Sequence, residues 1–269
     1  MTDLAASGSG VELAYNGHRA VATSDFSIPA GRLTAIIGTN GSGKSTLLNA
    51  LTGMVKVISG SVSVFGGAPS DMHHRVAYVL QATKVNEVMP VTVREVVAMG
   101  RYGRSGPFRR LDPDAKRVCD ESMERLGITG ISGRPLTDLS GGQRQRVFVA
   151  QGLAQEADML LLDEPLNALD IPSREQIVDA VSGELDQGRT VVLTTHDLGE
   201  AAAADHVILM TGRVAAEGPP DDVLKPDLLS AAYGIGLVHL EDGGVVLDDA
   251  AHRPVQRHVH FERAEPQRD

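Results

Sequence analysis

Apolar and polar residues alternate loosely from residue 11 to residue 28, with an interruption at Asn16 and Gly17. An alternating segment broken by an Asn-Gly pair predicts two antiparallel strands joined by a tight turn. Residues 7–10, with the sequence Ser-Gly-Ser-Gly, predict a flexible lead-in. The folded part of the chain is therefore expected to begin with a small antiparallel sheet.

A short, mostly apolar run at residues 33–37 leads into a glycine-rich loop, after which apolar residues recur at helical spacing. This pattern predicts a buried strand, a loop and a helix. Further short apolar runs predict strands at residues 61–65, 76–79, 159–162, 191–194 and 206–210. Strands that alternate with helices favour a mostly parallel sheet covered on both faces.

Residues 92–154 contain no strand pattern and interrupt the alternation of strands and helices. Helical spacing there predicts three helices, at residues 93–99, 114–126 and 142–153. We therefore predict an α/β fold with an antiparallel β subdomain and an inserted helical subdomain at about residues 84–156.

The pattern of apolar and polar residues changes after residue 235, and this change predicts the rest of the domain organisation. Residues 1–235 are expected to form the main domain. Residues 236–269 are expected to form a short β-rich extension, because residues 237–247 have a hairpin-like pattern.

Composition excludes several classes of protein. The 25 basic and 35 acidic residues give a net charge of −10, whereas a general binder of nucleic-acid backbones needs a basic surface. Cys119 is the only cysteine, which excludes a disulfide within the chain and a cysteine-based zinc finger. The N-terminus has no signal-peptide pattern, and no apolar run approaches the ~20 residues of a membrane-spanning helix.

Residues 38–46 match the pattern G-x-x-x-x-G-K-[ST] in full. Glycines let consecutive backbone N–H groups converge on phosphate oxygens, and the following helix adds the positive end of its dipole. In such a loop, Lys44 reaches the β- and γ-phosphates and Ser45 can ligate Mg²⁺. The predicted nucleotide-binding residues are Gly38, Thr39, Asn40, Gly41, Ser42, Gly43, Lys44, Ser45 and Thr46.

Asp163 and Glu164 follow the apolar run at residues 159–162. They are expected at the carboxyl end of a buried strand, where ligands bind in open α/β sheets. Asp163 is expected to hold Mg²⁺ through water, and Glu164 to polarise the attacking water. Together with the phosphate loop, this pair predicts a nucleoside triphosphatase. The sequence has no N-K-x-D motif, which disfavours a GTPase.

A third motif, Leu-Ser-Gly-Gly-Gln, begins at Leu139. Ser140 is expected to cap a helix, and Gly141 and Gly142 to expose N–H groups beside it, which makes a second anion site. With this pentapeptide, completed by Gln143, the sequence resembles the ATP-binding cassette (ABC) ATPases. The resemblance implies a P-loop fold of the ABC type that binds ATP and Mg²⁺. It also implies a head-to-tail homodimer in which each signature covers the other subunit's nucleotide.

The same resemblance implies roles for residues outside the three motifs. Tyr15 matches the aromatic residue that stacks on adenine. Gln81 matches the glutamine that senses Mg²⁺ and the transport partner. Asp170 lies in the stretch that corresponds to the dimer-contact loop, and His196 matches the histidine that contacts the γ-phosphate.

The resemblance covers residues 11–233, and two stretches point to a subgroup. Residues 90–103 and 146–155 look like the ATPase subunits of bacterial zinc and manganese importers, which are close to those of iron–siderophore and cobalamin importers. Residues 166–170 depart from the pattern of many manganese-type members, which carry an aromatic residue followed by Gly-Val-Asp. Asn167 stands where the family more commonly has Ser or Gly.

The resemblance implies a peripheral protein on the cytoplasmic face of a bacterial cell membrane. Its partners would be a second copy of the chain, an integral permease and, indirectly, an extracytoplasmic solute-binding protein, with no nucleic acid. An iron–siderophore or cobalamin importer ATPase is an alternative, and a soluble ATPase of iron–sulfur assembly is a more distant one. DNA-repair members need a coiled-coil insertion that the interval from residue 46 to residue 159 is too short to hold. Intact Glu164 and His196 disfavour a non-hydrolysing ATP switch.

Two groups of basic residues leave alternatives open. The tail suggests either a metal site or a solvated segment at His252, His258 and His260. A loop rich in glycine and arginine at residues 101–107, with its neighbours, suggests either contact with a partner or lipid headgroups, or a solvated edge of the helical subdomain. The arginines concerned are Arg101, Arg104, Arg109 and Arg110.

Overall fold

The computed structural model describes residues 3–15, 17–80, 91–105, 112–233, 237–239 and 245–247. The chain divides into two compact units. Unit 1 takes its described residues from Met1–Met72 and Val192–Glu262, and unit 2 takes them from His73–Val191. The predicted division into a main domain with an inserted helical subdomain and a C-terminal extension stays a prediction.

Unit 1 holds the start and the end of the described chain. Its first elements are β1 (Leu4–Tyr15), β2 (His18–Pro29), β3 (Leu33–Gly38), α1 (Lys44–Leu51), β4 (Val57–Val64) and α2 (Pro69–Met72). Unit 2 follows along the chain. It begins with β5 (Val76–Val79), α3 (Val93–Met99), α4 (Tyr102–Ser105), α5 (Pro113–Arg125) and α6 (Gly141–Leu153).

The second half of the chain completes both units. Unit 2 ends with β6 (Met159–Asp163), α7 (Ile171–Asp186) and the first two residues of β7 (Thr190–Thr195). The remaining elements belong to unit 1 and are α8 (Leu198–Ala202), β8 (His206–Met210), β9 (Val214–Gly218), α9 (Pro220–Val223), α10 (Pro226–Tyr233), β10 (Leu237–His239) and β11 (Val245–Leu247).

The antiparallel sheet of unit 1 has the strand order β2-β1-β4. Strands β1 and β2 pair antiparallel around the predicted turn, where Tyr15 lies opposite His18. The prediction of a flexible lead-in is wrong, because β1 begins at Leu4 and its Gly8 pairs with a residue on each neighbouring strand. A Cβ atom on Gly8 would lie 2.1 Å from the Phe26 ring. The glycine is therefore a packing requirement of a central strand.

A second sheet gives unit 1 its core, with β7, β3, β8 and β9 as successive neighbours. Strands β3 and β8 are parallel, with Gly38 opposite Met210, and β9 runs antiparallel along β8. Every residue of β3 is buried. Complete burial of a large aliphatic side chain stabilises a fold by about 1.5–3 kcal/mol. The mostly apolar run that predicted β3 is thus the signature of a strand covered on both faces.

Unit 2 has a parallel strand pair and a group of helices. Strands β5 and β6 pair in register from Val76 opposite Met159 to Val79 opposite Leu162. Helix α5 buries one stripe of residues at helical spacing, which packs against α3 and α6. The inward-facing residues are Ala115, Val118, Cys119, Ser122 and Met123.

The helices of unit 2 begin where side chains can satisfy their first N–H groups. Thr92 and Glu95 form a reciprocal capping box at α3, and the Asp112 carboxylate accepts from the Ala115 N–H at α5. Pro113 occupies the first turn of α5, where its missing N–H costs no hydrogen bond. Capping therefore fixes the helix starts that the spacing of apolar residues predicted only approximately.

The expected basic loop is corrected in one respect. Arg101 is not on a basic surface, because only 5% of the residue is exposed. Its guanidinium donates to the Ala154 carbonyl oxygen at 3.0 Å and to the Glu156 carboxylate at 2.6 Å, so burial is compensated by hydrogen bonds. Helix α4 also replaces part of the predicted loop. The side chains of the three other arginines, Arg104, Arg109 and Arg110, lie outside the described residues.

Candidate functional site

The phosphate loop joins β3 to α1 and contains three glycines with different structural roles. Gly43 precedes α1 with a φ of 101°, a backbone conformation that favours glycine. Gly38 has a φ of 148°, and a Cβ atom on it would lie 2.3 Å from the Met210 carbonyl oxygen. Gly41 has a φ of 79° and open space around its Cα atom. The loop therefore curls against β8 on its inner side and is open at Gly41.

Lys44 is buried at the base of this loop, with 6% of its surface exposed. Its ammonium donates to the Gly38 carbonyl oxygen at 2.8 Å and to the Thr39 carbonyl oxygen at 3.2 Å. Thr39, Asn40 and the next glycine are exposed, as is Ser45 in the first turn of α1, whereas Thr46 is half-buried. The positive charge is thus held under an open loop, which suits binding of a phosphate chain.

Ser42 anchors the loop through its backbone. Its N–H donates to the Thr39 carbonyl oxygen at 3.1 Å. Its own carbonyl oxygen accepts from the Gly212 N–H at 3.0 Å. Only 4% of Ser42 is exposed, and its Oγ atom has no hydrogen-bond partner within the described part of the chain. The backbone of the loop is therefore tied to the turn after β8, while a buried hydroxyl remains available for a ligand.

Tyr233, at the end of α10, is a residue that sequence reasoning missed. Burial raises the pKa of its hydroxyl to about 12, and the Gly38 backbone opposes part of that rise. The hydroxyl therefore stays protonated at neutral pH and lies by the first glycine of the phosphate loop. Its position is set by tertiary packing between segments almost 200 residues apart, for which the local sequence gives no signal.

His196 follows β7 in unit 1 and is partly exposed. Asp197 caps α8, since its carboxylate accepts from the Gly199 N–H at 2.7 Å and from the Glu200 N–H at 3.2 Å. The hydroxyl of Thr195 accepts from the Asp197 N–H at 3.0 Å. The histidine therefore lies in a turn whose two flanking residues are fixed by hydrogen bonds.

Asp163 ends β6 in unit 2, as predicted from the apolar run before it. The Tyr78 hydroxyl on the neighbouring β5 donates to its carboxylate at 3.4 Å. Burial, followed by the charge of Asp163, raises the pKa of this hydroxyl. Tyr78 therefore stays protonated and donates a hydrogen bond to Asp163, whose carboxylate oxygens are ligands of the kind that Mg²⁺ takes.

Glu164 comes next and has a φ of +47°, which is uncommon for a residue with a side chain. A strained residue of this kind is tolerated where the surroundings hold it, and such residues concentrate at functional sites. Pro165 and Leu166, which follow it, are buried. The buried pair anchors the turn, and Glu164 itself is partly exposed.

Ser140 begins α6 with a reciprocal capping box. The Gln143 N–H donates to the Ser140 hydroxyl at 3.2 Å, and the Ser140 N–H donates to the Gln143 side chain at 3.0 Å. The N–H groups of Gly141 and Gly142 are unused by this box. The structure therefore gives the Gln143 side chain a capping role and leaves the two glycines to present backbone donors.

The start of α6 packs on the start of α7 within unit 2. A Cβ atom on Gly142 would lie 2.7 Å from the Ser173 hydroxyl and 3.5 Å from the Asp170 carboxylate. Asp170 caps α7 by accepting from the Ser173 N–H at 2.9 Å, and its hydrogen bonds with Ser173 lower the pKa of this carboxyl. Arg146, one turn further along α6, donates to the Leu126 carbonyl oxygen at 3.0 Å and also to the Gln176 side chain on α7.

The predicted site residues are thus divided between the units. Unit 1 holds residues 38–46 and His196, and unit 2 holds Asp163, Glu164, Asp170 and the signature residues 140–143. Gln81 and the three tail histidines lie outside the described residues, and so does the side chain of Tyr15. Among the residues that the structure describes, no group of three or more His, Cys, Asp or Glu side chains could hold a metal ion.

Comparison with known proteins places these motifs in a family. The family model described as ABC transporter matches residues 21–167, which is more than half of the chain. The zinc transport system ATP-binding protein TroB of Treponema pallidum is 40% identical over 223 residues, which cover 82% of this chain and 84% of that protein. The manganese transport system ATP-binding protein MntA of Synechocystis is 35% identical over 229 residues, with coverage of 84% and 88%.

A chelated iron transport system protein, YfeB of Yersinia pestis, is 37% identical over 237 residues, with coverage of 87% of this chain and 80% of that protein. Among solved structures, an inward-facing transporter described as metal-chelate type superposes with a TM-score of 0.78 at 25% identity, over 93% of this chain and 99% of that chain. None of the helices in the described segments combines the length and the apolar character needed to cross a bilayer.

Proposed function

Since this chain belongs to the ABC transporter family and has its α/β P-loop fold, we propose that it hydrolyses ATP to power a membrane importer of zinc or manganese. One observation carries the ATPase part. A phosphate loop with a buried Lys44 and a second helix start, whose capping box leaves out the N–H groups of Gly141 and Gly142, occur in the same chain. Two anion sites on one chain are what a dimer with two shared nucleotides needs.

Within this proposal, the chain's own groups bind and orient ATP. Lys44 neutralises the β- and γ-phosphates, and the N–H groups of residues 38–46 surround them. Tyr15 stacks on adenine. The signature of a second subunit, from Ser140 to Gln143, contacts the γ-phosphate across a homodimer interface that includes Asp170. Phosphoryl transfer needs this positioning because its transition state spreads charge over several oxygens.

The oxygen ligands fit a magnesium ion. Ser45 is exposed in the first turn of α1, and the Asp163 carboxylate accepts a hydrogen bond from Tyr78 at the end of β6. Hydroxyl and carboxylate oxygens are hard ligands of the kind Mg²⁺ prefers. We propose Ser45, Gln81 and Asp163 as the residues that hold it, directly or through water. When bound, the ion would neutralise charge that develops on the β- and γ-phosphates.

Glu164 is proposed as the general base. Its carboxylate accepts a proton from the attacking water as the new bond to the γ-phosphorus forms and the bond to the bridging oxygen of ADP breaks. His196 holds the γ-phosphate in line. Closure of the dimer by ATP, and its opening after hydrolysis, would move the permease to which it is docked on the cytoplasmic face of the membrane.

The names of relatives support the cargo, since they specify zinc, manganese or chelated iron. Transport selectivity would reside in the permease and in an extracytoplasmic binding protein, because no step of ATP hydrolysis uses the cargo. An iron–siderophore importer is the second candidate, favoured by the similarity to a metal-chelate type transporter. A cobalamin importer and an iron–sulfur assembly ATPase are the remaining alternatives.

The ATPase part is tested with Glu164→Gln in the purified chain. Loss of a general base typically lowers the rate by about 10²–10⁴. We expect ATP binding to persist, turnover to fall by that factor, and ATP to hold the variant as a dimer in size-exclusion chromatography. Near-normal turnover would remove Glu164 from the mechanism.

The cargo is tested by deleting the gene and measuring the metal content of the cells. Zinc or manganese should fall, growth should slow in the presence of a chelator, and the missing metal should restore it. A chromosomal Glu164→Gln copy should behave like the deletion, which ties the phenotype to hydrolysis. Unchanged zinc and manganese, with a loss of siderophore or cobalamin uptake, would overturn the cargo assignment and leave the ATPase in place.

A further inference from the structure

The turn after β6 is closed by its backbone. The Asn167 N–H donates to the Glu164 carbonyl oxygen at 3.4 Å, and the intervening Pro165 and Leu166 are buried. Glu164 and Ala168 both have positive φ values, of 47° and 55°. The four residues therefore form a turn whose shape depends on the backbone and on the buried pair.

A second hydrogen bond joins the ends of this turn through side chains. The Asn167 amide nitrogen donates to the Oε2 atom of Glu164 at 3.0 Å. An ionised carboxylate only accepts hydrogen bonds, so the amide must face it with its NH₂ group. Asn167 itself is exposed, and no other function has been given to it above.

We propose that Asn167 is a positioning residue for Glu164, which it holds in the orientation needed to accept a proton from the attacking water. This inference rests on the proposed function, in which Glu164 is the general base. Orientation matters because a misplacement of about 1 Å in a catalytic group can cost ~10² in rate. The neutral amide restrains the carboxylate without the charge of a lysine or arginine, which would lower its basicity.

The side chain at position 167 decides whether this restraint exists. A serine hydroxyl ends one bond from Cβ, whereas the asparagine NH₂ group ends two bonds from it, so serine falls short of the Glu164 oxygen. Alanine removes the donor. Aspartate keeps the shape of asparagine but replaces the donor with a second carboxylate, which cannot donate to Glu164 and repels it.

The neighbouring Asp163, to which Tyr78 donates, is unchanged in every variant. The backbone bond between Asn167 and Glu164 also needs no side chain at position 167. A purely structural role for Asn167 would therefore lower the melting temperature and leave kcat, measured well below that temperature, as it is.

The test is steady-state ATP hydrolysis by the full chain with Asn167→Ala, Asn167→Ser and Asn167→Asp. We expect kcat to fall roughly 3- to 30-fold for the first two, with a KM for ATP within about twofold of the parent. For Asn167→Asp, we expect a fall at least as large, because its carboxylate cannot donate a hydrogen bond and repels that of Glu164. Glu175→Gln, at an exposed position on α7, is the control and should match the parent.

Two outcomes separate this inference from the function on which it rests. If Glu164→Gln abolishes turnover but all three Asn167 variants keep the parent's kcat, Asn167 has no positioning role and the general base stands. If Glu164→Gln turns over normally, the base assignment fails and the inference fails with it. A parental kcat for Asn167→Asp beside a lowered kcat for Asn167→Ala also overturns it, since an aspartate carboxylate cannot donate to Glu164.

Discussion

The Thr195 hydroxyl donates a hydrogen bond of 2.5 Å to the Glu200 carboxylate, and both residues are at least 95% buried. Thr195 in turn accepts from the Asp197 N–H, so the hydroxyl connects a buried carboxylate to the turn that carries His196. Asp197 caps α8, to which Glu200 belongs. The position of His196 therefore depends on a short chain of hydrogen bonds that begins in the interior of unit 1.

We expect Thr195→Val to lower kcat for ATP hydrolysis by about tenfold, because valine keeps the volume but cannot accept from Asp197 or donate to Glu200. It should also lower the free energy of unfolding by about 1–3 kcal/mol, since the Glu200 carboxylate loses a buried partner. Stopped-flow or coupled ATPase assays and denaturant titration measure the two effects.

His196→Ala provides the control for this prediction. If Thr195 acts through His196, the double variant should be no slower than His196→Ala alone, because the interaction has already been lost. Multiplicative losses in the double variant would show that the Thr195 network affects turnover by another route.

The contact between Gly142 and Ser173 predicts a difference between two adjacent glycines. Glycine to alanine within a helix gains up to ~1 kcal/mol of stability from helix propensity. Gly141→Ala should show this gain, because its Cβ atom would enter open space. Gly142→Ala should show less or none of it, because its Cβ atom would contact the buried Ser173 hydroxyl.

Thermal unfolding of both variants measures that difference in free energy. Adding Ser173→Ala to each background is the control. Its effect on the free energy of unfolding should be more favourable in Gly142→Ala than in Gly141→Ala by roughly 1 kcal/mol. Equal stability of the two glycine variants would mean that α6 moves away from α7 without cost.

The two anion sites predict that each active site is shared between subunits. Lys44→Ala should abolish ATP-dependent dimerisation, and Ser140→Arg should block the signature. In a heterodimer of these two chains, one interface carries both lesions and the other carries neither. Mixing the inactive proteins should therefore restore part of the ATPase activity, up to about half per heterodimer if the two sites act independently.

Differently tagged subunits and tandem purification give the heterodimers for this measurement. A mixture of Lys44→Ala with the parent shows how much activity a single complete interface supports. The idea of a site built from two subunits would be contradicted if purified heterodimers of Lys44→Ala and Ser140→Arg are inactive while the mixture of Lys44→Ala with the parent is active.

His206 predicts a pH dependence of stability. The residue is 9% exposed, and burial lowers the pKa of its imidazole, although the charge of Glu217 and the Ser27 backbone oppose part of the shift. The unfolded chain then binds a proton more readily than the folded chain, so stability is lost as pH falls below about 6.5. Each unit of difference between the two pKa values corresponds to about 1.4 kcal/mol.

His206→Gln should therefore show a shallower decrease in melting temperature between about pH 7.5 and about pH 5.5 than the parent. His73→Gln, at an exposed position, should keep the parent's slope. Parallel slopes for His206→Gln and the parent would show that other groups account for the loss of stability in acid.

Burial on both faces explains which strands the sequence could reveal. Strands β3, β6 and β8 are mostly apolar runs, and each was predicted within one residue. Strand β9 was missed because it is an edge strand in which exposed Ala and Glu residues alternate with half-buried ones. Its sequence has neither an apolar run nor β-branched residues beyond the first, so only pairing with β8 defines it.

The site shows the same division between local and tertiary information. The glycines of the phosphate loop and the cap at Ser140 act over a few residues, so their spacing was sufficient to predict them. The burial of Arg101 and the approach of Tyr233 to Gly38 depend on segments far apart in the chain. The link from Glu200 to Thr195 is local, but nothing in the sequence distinguishes this glutamate from an exposed one.

The packing of Gly38 against Met210 bears on the choice of inactive alleles for genetics. These two residues face each other across β3 and β8, so a side chain at position 38 would push apart the parallel pair that forms the core of unit 1. A Gly38 allele that abolishes uptake would then report lost protein abundance, through degradation of the misfolded chain. A Lys44→Ala allele removes a side chain that bonds to carbonyl oxygens of the loop and adds no atoms to the core, so it should leave the subunit present in the cell but inactive.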